Sequence, residues 1–108
     1  MSNFELVELV DQGEGRFALS GDVSFATAEK ILRSSEKSFA GQSDIEVDMS
    51  GVQKTDSAGL ALLLEWISST NQSGTNIRFV SIPEKVRLIA QTAEIEELLD
   101  RSHSSSSK

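Results

Sequence analysis

Cysteine and tyrosine are absent from this 108-residue chain, and histidine, tryptophan and proline occur once each, as His103, Trp66 and Pro83. Without cysteine there is no disulfide framework, no thiolate nucleophile and no cysteine-ligated zinc. The one histidine lies in the serine-rich stretch RSHSSSSK, which removes the commonest general base and nearly every histidine-based metal site. Long apolar runs are missing too: none approaches the roughly 18 residues that span a bilayer. The opening MSNFELVELV carries acidic rather than basic charge, which argues against a secretory signal. Positive charge is scarce, with 10 Lys and Arg against 17 Asp and Glu and a formal net charge of −7. Phosphate backbones and anionic headgroups repel such a chain, so neither nucleic acid nor a membrane surface is an expected direct partner. These absences lead to the expectation of a cytoplasmic protein that works without a metal or cofactor.

What is present fits one domain over residues 1–100, followed by a low-complexity, disordered tail over residues 101–108. Residues 4–10 (FELVELV) read as a strand, residues 11–15 (DQGEG) as a turn, and residues 16–20 (RFALS) as a second, alternating strand of a hairpin. Gly21 and Asp22 are expected to end it. A helix follows over residues 24–39, with Ser24 as its N-cap and Ala28, Ile31, Leu32 and Ser35 at helical spacing. Ile45, Val47 and Met49 alternate along a third strand, and SGVQKT reads as a loop. A strong helix begins near Asp56, with Leu60, Leu63, Leu64 and Ile67 as its core stripe and Gly74 as its C-cap. Residues 77–82 (IRFVSI) form a fourth strand. Pro83 suits the start of a third helix carrying Val86, Ile89, Ala90 and Ala93, and an apolar piece over residues 95–99 closes the domain.

The order is β-β-α-β-α-β-α. Helices between strands favour parallel pairing, and strands that alternate rather than run continuously apolar have one covered face. The expected fold is therefore α/β, a small mixed sheet with helices mainly on one face.

The segment VDMSGVQKTDSAGLALLL, residues 47–64, resembles the signature region of the STAS domain family. Val47, Asp48, Met49 and Ser50 match an apolar-Asp-apolar-Ser strand end. Asp56, Ser57, Ala58, Gly59 and Leu60 match the D-S/T-x-G-L that opens the next helix, and Gly21–Asp22 resembles an earlier turn of the family. The resemblance covers residues 4–99. It implies a non-enzymatic protein-interaction module, and GLALLL is closest to MlaB-type subunits. These are cytoplasmic accessory subunits of a bacterial ABC transporter that moves phospholipids and maintains outer-membrane lipid asymmetry. That likeness implies an ABC transporter ATPase as partner, with the inner membrane reached only peripherally, through the complex. The alternative is the anti-sigma-factor antagonist, in which a serine at the place of Ser57 is phosphorylated by an anti-sigma serine kinase. MlaB-type proteins commonly have threonine there, so Ser57 departs towards the antagonists.

Local chemistry offers two readings of Ser57. In the first turn of a helix, free backbone N–H groups and the positive dipole end favour an anion, so phosphate is tolerated there. The plainer reading is that Asp56 or Ser57 only caps the helix, worth about 1 kcal/mol. Ala58, Leu62 and Trp66 fall opposite the expected core stripe. They form either a docking patch, tryptophan being enriched at interface hot spots, or a contact with a neighbouring helix of the same domain. The expected partner surface comprises Lys54, Thr55, Asp56, Ser57, Ala58, Leu62 and Trp66.

Three chemistries fit poorly. A nucleophile elbow needs glycine two residues before the serine, where Thr55 stands. SGVQKTDSAG does not match a phosphate-binding loop. Asp48 and Asp56 are a metal pair only in principle, and Glu94, Glu96 and Glu97 read as a solvated surface.

Overall fold

The computed structural model describes residues 7–104, with side chains placed through residue 100. Four strands and four helices follow in the order β1 (Val7–Gly13), β2 (Arg16–Val23), α1 (Phe25–Phe39), β3 (Asp44–Thr55), α2 (Ser57–Ser73), β4 (Asn76–Val80), α3 (Glu84–Thr92) and α4 (Glu96–Ser104). The expected order is present, with one helix added at its end. The strands lie side by side in sequence order, β1–β2–β3–β4. β1 and β2 are antiparallel, as a short connection demands. β2–β3 and β3–β4 are parallel, because α1 and α2 return the chain to the starting edge.

Alternation sets which side of the sheet is covered. Phe17 and Leu19 of β2, Ile45, Val47 and Met49 of β3, and Ile77 and Phe79 of β4 are all buried. The intervening Ala18, Ser20, Glu46, Asp48, Arg78 and Val80 are only partly covered. On that open face the register partners Glu46 and Arg78 form an ion pair, with Arg78 Nη2 2.7 Å from Glu46 Oε1. The helices cover the other face and share one core cluster with the strands, down to Leu99 of α4, which is fully enclosed. α4 takes in the first four residues expected to be tail. Residues 105–108, and residues 4–6 of the expected first strand, lie outside the described residues.

Helix caps are where the sequence placed them. Ser24 and Thr27 form a reciprocal capping box: Ser24 Oγ accepts from the Thr27 N–H, and Thr27 Oγ1 accepts from the Ser24 N–H at 2.8 Å. Gly74 closes α2 in the left-handed conformation. Pro83 stands just before α3, not inside it.

The strand ends depart from expectation. β1 runs on to Gly13 through a bulge between Asp11 and Gly13, leaving a turn at Glu14–Gly15 instead of residues 11–15. β2 does not stop at Gly21, and SGVQKT is not a loop: Gly51, Val52, Lys54 and Thr55 pair with Ser20, Gly21, Asp22 and Val23. Gly51 makes this pairing close, since a Cβ there would stand 2.8 Å from Ser20 Cβ. The segment is polar because much of it faces outward, and polarity without alternation reads locally as loop.

The largest correction concerns α2. Ala58 is 0% exposed, and Leu62 and Trp66 are 1% exposed each, so none of the three forms an outer docking patch. The buried arc runs through Ala58, Gly59, Leu60, Leu62, Leu63, Trp66 and Thr70, so Leu60 and Leu63 of the expected stripe are inside, while Leu64 and Ile67 are half-buried at its flank. The helix is turned by about one residue, roughly 100°, from the expected stripe. Its apolar residues nearly encircle it, and it packs against α1 on one side and α3 on the other. Trp66 sits at the centre of the core, stacked on Phe79 with ring centroids 6.3 Å apart and tilted against Phe39 at 5.4 Å.

Candidate functional site

Parallel strands followed by helices bring several helix starts to one end of a sheet. Here β2, β3 and β4 deliver the starts of α1, α2 and α3 to that end. An open cleft of about 470 Å³ lies among them. Asp22 and Ser24 line it from the β2–α1 junction, Lys54, Thr55 and Asp56 from the β3–α2 junction, and Pro83 and Lys85 from the β4–α3 junction.

Several residues of the signature segment have distinct structural tasks. Asp48 Oδ1 accepts a hydrogen bond from the Ser50 N–H at 2.9 Å, on the open face of β3. Asp56 is the N-cap of α2, and its Oδ1 accepts from the Ala58 N–H at 2.8 Å. The two carboxylates are thus occupied by backbone amides, and among the described residues no three metal-ligating side chains cluster. Gly59 is buried where α2 leaves the sheet. A Cβ there would run into Thr55 Oγ1 and stand 3.1 Å from Val86 Cγ2. Glycine at this position lets α2 sit tight against both β3 and α3.

Ser57 is the first residue of α2 and is exposed. Asp56 supplies the cap, so the Ser57 hydroxyl is not consumed by it and makes no hydrogen bond to another described residue. Lys54 is exposed beside it. Of the seven expected partner-site residues, Lys54, Thr55 and Asp56 line the cleft, Ser57 is exposed next to them in the chain, and Ala58, Leu62 and Trp66 are buried in the core.

Two neighbours of this rim escaped notice in the sequence. Lys85 reaches the cleft from α3, 29 positions on from Asp56, and nothing local to it signals that placement. Phe25 follows the N-cap Ser24 and is 67% exposed. No local signal marked it, because Phe25 stands three residues before Ala28 and seven before Leu32, at the edge of the same helical stripe, and only the structure shows it uncovered.

Comparison with known proteins agrees with this architecture. The family model described as "Mlab, STAS domain" matches residues 9–100. Among solved structures, the unphosphorylated form of the anti-sigma factor antagonist SpoIIAA superposes with a TM-score of 0.66 at 14% identity, covering 85% of this chain and 84% of that one. A sulfate transporter family protein from Wolinella succinogenes superposes with a TM-score of 0.65 at 18% identity, covering 89% and 79%. At these identities the two structures establish the shared fold. No curated protein matches the sequence. With the signature segment in place and the family model spanning nearly all the described residues, the chain belongs to the STAS domain family, in its MlaB branch.

Proposed function

We propose that this chain is a non-enzymatic accessory subunit that docks on the ATPase of an MlaB-type ABC phospholipid transporter, through the rim formed by Lys54, Thr55, Asp56 and Ser57. The observation that carries this reading is the match of residues 9–100 to the MlaB model of the family. The geometry supports a docking rim over a catalytic centre. The Ser57 hydroxyl has no base within hydrogen-bonding distance among the described residues, and nucleophilic catalysis by serine requires one. Among the described residues no helix is long and apolar enough to cross a membrane. As such a subunit the chain would be cytoplasmic and reach the inner membrane through its partner.

A second reading is favoured by one observation. Ser57, not threonine, presents a free hydroxyl in the first turn of α2, where a phosphate would meet the positive end of the helix. An anti-sigma-factor antagonist would use that hydroxyl as the site of an inactivating phosphorylation. Affinity purification of the tagged chain from detergent-solubilised native cells, followed by mass spectrometry, separates the two. Recovery of an ABC ATPase with its permease supports the transporter subunit. Recovery of a serine kinase, with phosphate on Ser57, overturns it in favour of the antagonist.

A further inference from the structure

Three described large apolar side chains stand well exposed: Phe25 at 67%, Leu88 at 51% and Val10 at 42%. Single exposed apolar residues are common on protein surfaces and by themselves signify nothing. Phe25 differs in its placement. Val23 and Thr55 are register partners at the ends of the parallel strands β2 and β3. Each is followed by an N-cap, Ser24 and Asp56, and then by the first residue of a helix, Phe25 and Ser57. Phe25 and Ser57 thus hold equivalent positions in adjacent strand–helix units. Neighbouring strands are about 4.8 Å apart and packed helices about 8–10 Å apart. Both residues therefore fit easily within the roughly 800 Å² that one partner contributes to a standard interface.

The fold makes little use of Phe25. It lies outside the core cluster and takes no part in the aromatic contacts that join Phe17, Phe39, Trp66 and Phe79. Its backbone is nonetheless held, because the Ser24–Thr27 capping box fixes the start of α1 and Thr27 Oγ1 also donates to the Asp22 carbonyl at 2.8 Å. An aromatic ring carried on a fixed backbone loses little freedom on binding, which suits an interface anchor. The cleft beside its N-cap Ser24 is lined by two carboxylates, Asp22 and Asp56, and two ammonium groups, Lys54 and Lys85. Arg33, Arg78 and Arg87 are each paired within the domain, whereas Lys54 and Lys85 of the cleft make no ion pair with a described residue. Asp56 in the same cleft is engaged by the Ala58 amide.

We infer that Phe25 is the apolar anchor of the docking rim, entering an apolar pocket on the ATPase whose border carries carboxylates facing Lys54 and Lys85. The inference rests on the transporter-subunit reading and adds to it the residue whose removal would cost the most binding energy.

The test measures binding of the full chain to the purified ABC ATPase subunit from the same source, by calorimetry, for wild type, Phe25→Ala, Phe25→Leu and Val10→Ala. Val10 is the control, since it lies on β1 opposite Ala18 of β2, on the sheet face that the helices leave open. Phe25→Ala should weaken binding at least about tenfold, as removal of an interface hot spot does, and Phe25→Leu by less. Val10→Ala should bind as wild type, and the urea midpoint of Phe25→Ala should be unchanged. A photo-crosslinking residue at position 25, and not at position 10, should label the ATPase. Tight wild-type binding with Phe25→Ala within about twofold of it overturns the anchor and leaves the transporter-subunit reading standing. No binding of the wild-type chain to the ATPase, with binding to a serine kinase instead, overturns both.

Discussion

The indole Nε1 of Trp66 donates a hydrogen bond to Ser35 Oγ at 2.9 Å, joining α2 to α1 inside the core. Ser35 Oγ in turn donates to the Leu32 carbonyl at 2.8 Å, so its hydroxyl is used in both directions. Burying a tryptophan completely requires a partner for its N–H, and α1 carries a serine on its core stripe to provide one. The same bond explains why the chain's only tryptophan is an internal residue and not an interface residue.

Trp66→Ala should cost about 3–5 kcal/mol, a large part of the stability of a domain this size. Ser35→Ala should cost about 1–3 kcal/mol, because it strands a buried donor while removing only one oxygen. Urea denaturation followed by circular dichroism reads both. A Trp66→Ala protein of wild-type stability would return Trp66 to the surface.

Gly59→Ala should be destabilising, against the helix-propensity trend. In an exposed helix interior this change gains about 1 kcal/mol. Here the added methyl meets Thr55 Oγ1 and Val86, and overpacking of that kind costs about 1–3 kcal/mol. Thr55→Ala in the same chain removes the nearer obstacle and should restore part of the loss. Melting temperatures of the single and double variants decide it, and a Gly59→Ala protein more stable than wild type sinks the packing argument.

Asp56→Ala removes the acceptor of the Ala58 N–H and should cost about 1 kcal/mol, while Asp56→Asn keeps an acceptor there and should cost much less. Comparing their urea midpoints distinguishes a cap from a contact residue. If both variants melt as wild type, the cap contributes nothing to the fold.

Ser57→Asp should separate stability from binding. An acidic residue in the first turn interacts favourably with the helix dipole, by about 0.3–1 kcal/mol, so the melting temperature should hold or rise slightly. Binding to the partner should fall, because a surface shaped for a neutral hydroxyl then meets a charge beside Asp56. Ser57→Ala distinguishes the two functional readings. An antagonist with alanine binds constitutively, and a transporter subunit weakens only if the hydroxyl itself touches the ATPase. Full binding by Ser57→Asp would remove Ser57 from the interface.

Much of the fold was legible because its signals are short-range. Ile45, Val47 and Met49 point to one side of a strand whatever surrounds it. Ser24, Asp56 and Gly74 act on backbone groups within four residues of themselves. The rim at Lys54–Asp56 was legible for the same reason, since a helix start announces itself locally. Lys85 was not, because it joins the rim only once β4 lies beside β3.

The sequence by itself determined the order of the strands and the first three helices, the positions of the caps and the net acidic charge. Tertiary structure alone decided which side of α2 is inside. A helix apolar around most of its circumference has no inner face until α1, α3 and the sheet close on it, and burial then goes to Leu62 and Trp66 ahead of Leu64 and Ile67. It also decided that polar SGVQKT is strand, because pairing with β2 is a contact across some 30 residues of chain that no local pattern encodes.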